Sequence, residues 1–108
     1  MVKQGSIILV DFDPQAGHEQ KGRRPALVIS NDLFNRYSEM AILCPITNTD
    51  KNHPLHIKLS EKTKTNGVVL CDQIKTMDIK VRNFKLLESV PEDILENVLD
   101  IVSSLIEK

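Results

Sequence analysis

At 108 residues the chain is long enough for one domain and leaves little for a second. Lys plus Arg (14) nearly balances Asp plus Glu (15), which excludes a globally basic nucleic-acid binder of the histone type. With 41% apolar residues, 4 Gly and 5 Pro, the composition is that of a folded core and not of a disordered or collagen-like chain.

Residues 6–12, Ser-Ile-Ile-Leu-Val-Asp-Phe, are apolar and β-branched and predict a buried strand ended by Asp13-Pro14. Residues 14–24 are polar, hold two glycines and predict a long loop. A second strand is expected over 25–30, with Pro25 at its start or on an edge because it has no N–H. Asn31 and Asp32 suit the cap of a short helix reaching about Tyr37. Residues 41–47 predict a strand in which Pro45 implies an edge or a bulge. After a polar loop at 48–54, Leu55-His56-Ile57-Lys58-Leu59 alternates strictly, which predicts a half-buried strand with His56 and Lys58 outward. A turn ends at Asn66-Gly67, residues 68–74 predict a strand, and at least one more is expected near Phe84–Val90.

From Pro91 the period changes. Ile94, Leu95, Val98, Leu99, Ile101, Val102, Leu105 and Ile106 recur at helical spacing, and Pro91 suits the first helical position. Short strands followed by one amphipathic helix predict a mainly β fold with α, a small barrel or sandwich packed by a C-terminal helix, in a single domain spanning 1–108.

Cys44 and Cys71 sit in apolar runs, as reduced core thiols of a cytoplasmic protein would. No apolar stretch exceeds five residues, far short of the roughly 20 that span a bilayer, so no membrane association is expected. Charge is unevenly spread. Residues 1–87 hold 13 Lys/Arg and 9 Asp/Glu, whereas 88–108 hold 1 and 6, so an acidic helix masks a basic body able to meet phosphate.

The sequence has no phosphate-binding glycine loop, no zinc-protease or hydrolase-elbow motif, and no acidic cluster for two-metal chemistry. His18, His53 and His56 show no metal-type grouping along the chain, so no metal site and no cofactor are expected. The segment Gly17-His18-Glu19-Gln20-Lys21-Gly22-Arg23-Arg24-Pro25 is the densest in chemistry. Metal-free RNA cleavage needs a base for the 2′-hydroxyl, an acid for the leaving 5′-oxygen and a cation for the phosphorane-like state. Histidine can carry either proton, and arginine grips two phosphate oxygens. By composition alone the same segment also fits a solvated surface loop.

This loop resembles the MazF/PemK family of toxin ribonucleases from bacterial toxin–antitoxin pairs. The matching pieces are Gly5, Val10-Asp11-Phe12-Asp13-Pro14, Gly17-His18-Glu19-Gln20, Gly22 with Arg24-Pro25, Pro45-Ile46-Thr47, Gly67-Val68-Val69, Asp72-Gln73-Ile74-Lys75-Thr76 and Asp78. His18 and the Cys71-Asp72-Gln73 run look closest to the PemK/Kid branch. The resemblance spans essentially the whole chain and implies a small SH3-like barrel built as a homodimer. It implies metal-independent, sequence-specific cleavage of single-stranded RNA to 2′,3′-cyclic phosphate and 5′-hydroxyl ends, inhibiting translation and growth. It implies a cognate antitoxin whose tail blocks the RNA groove, and contact with DNA only through that antitoxin.

The resemblance carries the central catalytic pair onto Arg24, for transition-state charge, and Thr47, for orienting the phosphate or 2′-hydroxyl. The PemK/Kid histidine and aspartate fall on His18 and Asp72, but the corresponding arginine position holds Leu70, which shifts the weight to Arg24 and Thr47, with His18 a candidate proton carrier. Glu19, Gln20 and Gln73 resemble base-reading residues; Asp72 contacts RNA, holds Arg24 or His18, or is simply a paired strand-end acid; Arg23 would attract phosphate. Taken alone, Thr47 also fits a strand-end residue that satisfies local backbone groups. Two other readings remain: a non-catalytic SH3-like RNA- or protein-binding module, and a gyrase poison of the CcdB type. The latter family ends in Trp-Gly-Ile, whereas this chain ends Ser-Leu-Ile-Glu-Lys and has no tryptophan.

Overall fold

The first strand, β1 (Ser6–Asp11), is apolar from Ile7 to Val10 because both of its faces are covered there. Ile8 and Val10 pack with Phe12, Val28, Leu43 and Met77 on one side, while Ile7 packs with Leu27, Cys44, Val69 and Val98 on the other. A sheet buried on two sides gives continuous rather than alternating hydrophobicity. This computed structural model describes residues 2–12 and 22–108.

The remaining elements follow as β2 (Arg23–Val28), α1 (Asp32–Ser38), β3 (Ala41–Thr47), β4 (His56–Lys58), β5 (Val68–Leu70), β6 (Lys75–Met77), a 3₁₀ turn (Ile79–Arg82), β7 (Lys85–Ser89) and α2 (Glu92–Ile106). The strand order is β4-β5-β3-β2-β1-β7, all antiparallel, with β6 on β3. The fold is mainly β with a C-terminal helix, as the pattern of short strands and one amphipathic helix implies.

Several boundaries differ from the sequence expectation, each for a tertiary reason. Strand β2 starts at Arg23, not Pro25, because Asp11 pairs with Arg23 and Val10 with Arg24. Pro25 therefore lies inside a strand, opposite Leu9, yet the β3 ladder stops at Ala26, so its missing N–H costs no bond on that side. Pro45 marks the point where β3 changes partner, from β6 at 41–43 to β5 at 46–47. The run 68–74 is not one strand: β5 stops at Leu70, a turn carries Cys71 and Asp72, and β6 begins at Lys75. Pro91 caps α2 instead of occupying its first turn. Along α2, Ile94, Leu95 and Val98 are buried, but Leu105 and Ile106 are exposed. Among the described residues, no helix is long and apolar enough to cross a membrane.

Helix α1 ends where the sequence places it. Asn31 accepts the Phe34 N–H at 2.9 Å, and Glu39 closes the helix in the left-handed region. Buried Asn35 bonds the Ser30 hydroxyl and the Ser30 carbonyl, tying α1 to the end of β2.

Burial, helped by a neighbouring acid, pushes the Cys44 and Cys71 thiols up to about 12. Thiolate is the reactive form, so both should resist a disulfide reagent at pH 8 in the folded protein and react fully in denaturant. Rapid native-state labelling of either cysteine would contradict that environment.

Candidate active site

Arg24 and Thr47 come together through strand register. Ala26 pairs with Pro45, Leu27 with Cys44 and Val28 with Leu43. The same offset carried two residues further sets Arg24 opposite Thr47, where the two strands stop bonding. Strands that part at their ends leave a notch between their side chains. Both residues are half-buried and line the same groove.

The groove has two lobes that share Arg24 and Thr47. The larger, about 500 Å³, is lined also by Lys51, His53, His56, Asp72 and Gln73. The smaller, about 250 Å³, adds Arg23, Asn48 and Asn66. Among these described lining residues, three cations (Arg23, Arg24, Lys51) face one carboxylate (Asp72). The local field therefore favours an anion, although the whole chain has a net charge of -1.

Thr47 is held from two sides. Its Oγ1 accepts the Thr49 N–H at 3.3 Å, and its backbone pairs with Val68. The hydroxyl hydrogen thus remains available for an acceptor in the groove. Arg23 is less suited to roam toward phosphate than its sequence position implies, because its guanidinium donates to the Asn83 carbonyl at 2.6 Å. Arg23 and Arg24 also belong to a strand, which corrects the expectation that they sit in the loop over 14–24.

Asp72 stands in the turn after β5. That turn is fixed by the Gln73 N–H donating to Leu70 and the Cys71 N–H donating to Leu55, both at 3.1 Å. Asp72 Oδ1 lies 3.1 Å from His56 Nε2. His56 is not outward-facing as the alternation of 55–59 suggests: its side chain is only 11% exposed, because it turns toward Asp72, whereas Lys58 does face solvent. The His56 Nδ1 is buried without a hydrogen-bond partner among the described residues. The His53 ring stacks on His56 at 4.6 Å between centroids, and its Nδ1 accepts the Leu55 N–H.

The groove thus unites Arg24, Thr47, Asp72 and Gln73, with Arg23 at its second lobe. His18, Glu19 and Gln20 lie outside the described residues. Sequence reasoning missed Lys51, His53 and His56. Among the described residues, His53, His56 and Asp72 bring ligand atoms within 4.8 Å of one another, a grouping that the spacing along the chain does not show. The available signal was the His53-Pro54-Leu55-His56 spacing, but Asp72 joins only through the β4–β5 ladder.

Residues 3–106 match the family model for the PemK-like, MazF-like toxin of type II toxin-antitoxin systems. The chain belongs to this family. It is 39% identical over 109 residues to the endoribonuclease PemK of Escherichia coli, covering 97% of this chain and 82% of that protein. It is similar to the crystal structure of MazF from Deinococcus radiodurans, with a TM-score of 0.92 and 36% identity over 97% of this chain and 96% of that one. A MazE–MazF complex from the same organism matches with a TM-score of 0.85, 36% identity, and 97% and 95% coverage. The sequence resemblance to MazF/PemK toxins and the family expectation of a mainly β fold with a C-terminal helix are therefore both met.

Proposed function

We propose that this chain is the toxin of a type II toxin–antitoxin pair and a metal-independent, sequence-specific endoribonuclease, acting as a single catalytic domain on single-stranded RNA. The observation that carries the reading is the pairing of Arg24 and Thr47 in one cation-rich groove. The 2′-oxygen attacks the adjacent phosphorus, its proton leaves to a base, and the 5′-oxygen departs with a proton from an acid. The products are a 2′,3′-cyclic phosphate and a 5′-hydroxyl. Arg24 contributes a planar fork of N–H donors to the phosphoryl oxygens as negative charge gathers there. Thr47 orients the phosphate or the 2′-hydroxyl through Oγ1. His18 is the candidate proton carrier on the strength of the sequence. Gln73, with Glu19 and Gln20, offers hydrogen bonds to the edges of splayed bases, and Asp72 does the same or orders its neighbours. Arg23 and Lys51 supply attraction without sequence information.

The cognate antitoxin is proposed to lay an acidic tail across the same groove, where three cations favour it electrostatically. A homodimer is proposed to cover apolar side chains now in solvent, such as Leu86 and Leu87 on β7, in a cytoplasmic protein that meets DNA only through the antitoxin.

The decisive experiment is digestion of a long single-stranded RNA by purified, antitoxin-free protein in excess EDTA, with product ends typed. Cutting at a few short sites with cyclic-phosphate ends is expected. No cutting by folded protein would overturn the reading in favour of a binding module; cutting that EDTA abolishes would overturn its metal independence.

A further inference from the structure

We propose that His53, His56 and Asp72 form a binding site for a Zn²⁺-class ion in the wall of the groove, and that the ion and RNA exclude one another there. The donor set is two imidazole nitrogens and one carboxylate oxygen, the ligands such ions prefer, with a fourth position left for water.

The geometry is close to that of a formed site. Bonds of about 2.0 Å at tetrahedral angles hold two ligand atoms roughly 3.3 Å apart. The His56 Nε2 to Asp72 Oδ1 separation is 3.1 Å, so this pair already has the spacing of two ligands on one ion. No separation within the triad exceeds 4.8 Å. The longest therefore has to close by about 1.5 Å at most. His53 is exposed and lies in the segment leading into β4, after Asn52 in the left-handed region, so it can make that adjustment without disturbing the core. His56 and Asp72 are fixed by the β4–β5 ladder and the following turn.

The exchange is chemically balanced. Without the ion, one of the facing atoms of the His56–Asp72 contact must carry a proton; when the ion takes its place, that proton moves to His56 Nδ1 where Nδ1 is bare and leaves to solvent where Nδ1 already carries a hydrogen. The ring then carries its hydrogen on Nδ1, which has no partner among the described residues in the ion-free geometry. The two neutral rings and one carboxylate leave the bound divalent ion with a net positive charge.

Exclusivity rests on the RNA reading above. The three residues line the same lobe as Arg24 and Thr47, so an ion withdraws Asp72 and both rings from contact with bases and places its water where a nucleotide would lie. By linkage, RNA must weaken the ion by the same factor that the ion weakens RNA.

The test titrates full-length, EDTA-washed protein with Co²⁺ and follows the visible absorption of low-symmetry, four-coordinate cobalt, then displaces it with Zn²⁺. One equivalent bound, and a fall in Co²⁺ affinity of more than about tenfold in His53→Ala, His56→Ala and Asp72→Asn, is expected. Folding of each variant is checked by its thermal melt. If His56→Ala fails to fold, the exposed His53→Ala decides. Absence of a four-coordinate spectrum, an unchanged affinity in His53→Ala, or a thiolate charge-transfer band from Cys44 or Cys71 would overturn the site. A second titration adds 2′-O-methyl RNA, which cannot be cleaved: bleaching of the cobalt spectrum is expected, and bound RNA with an unchanged spectrum overturns the exclusivity. RNA that fails to bind overturns the nuclease reading, and exclusivity with it, while the cobalt titration judges the metal site independently.

Discussion

Arg24→Ala is expected to slow RNA cleavage by about a thousandfold or more while leaving the protein folded. Removal of one preorganised donor from a developing oxyanion typically costs about 10²–10³ in rate, and loss of a cationic fork at a phosphoryl group costs more. The fold should tolerate the change. Arg24 sits at the start of β2, where its backbone pairs with Val10, and alanine keeps that ladder. A stability change within about 1 kcal/mol is expected, because no core volume is removed. Arg24→Lys separates charge from geometry. It keeps the cation but loses the two parallel donors, so only partial recovery is expected. Single-turnover cleavage beside a thermal melt checks both statements. Full activity in a folded Arg24→Ala protein would remove Arg24 from the chemistry and leave the groove as a binding surface.

Gly67→Ala is expected to damage stability and activity together. Gly67 has φ +122°, a conformation that side chains rarely adopt. A methyl group there would overlap the Thr47 carbonyl oxygen and lie 2.9 Å from its carbon. The obstacle is backbone and cannot rotate away. Strain and overlap together should cost about 3 kcal/mol or more, a fall in Tm of about 12 °C or more for a domain of this size. Any relief must come from displacing Thr47, so the surviving folded fraction should cleave slowly even below its melting range. Gly22→Ala is the contrast. Gly22 also has positive φ (+77°), but a methyl group there meets nothing within 4 Å among the described residues, so only about 1 kcal/mol of backbone strain is expected. Equal melting temperatures for Gly67→Ala and the parent protein would show that the close approach to Thr47 is not what glycine serves.

Both cases show a site assembled by strand ends. Thr47 ends β3, Arg24 lies one residue inside the start of β2, and Gly67 lets the chain entering β5 pass against Thr47. Side chains at the end of a ladder gain room for a substrate without leaving the rigid part of the sheet. Charge follows the same division of labour. The acidic residues of α2 lie on a helix packed against Ile7, Leu27 and Cys44, while the groove collects cations.

The sequence by itself determined the elements whose signals are local. Strand β3 begins and ends where its apolar run does, α1 starts at its Asn31 cap, and α2 follows a helical period that needs no partner to be read. It also determined the family, because Glu19-Gln20, Arg24-Pro25 and Pro45-Ile46-Thr47 are spelled out along the chain. Tertiary structure alone decided the rest. Whether Arg23 and Arg24 belong to a loop or a strand depends on β1 being beside them. Whether the strand at 68 runs on to 74 or stops at Leu70 depends on where β3 offers partners. The direction of His56 depends on Asp72, sixteen residues away along the chain and 3.1 Å away in space. Periodicity reports which face of a segment is buried, but not what lies opposite it. A groove made from β2, β3, the turn after β5 and the segment before β4 is therefore a property of pairing register, which emerges only when the strands are laid side by side.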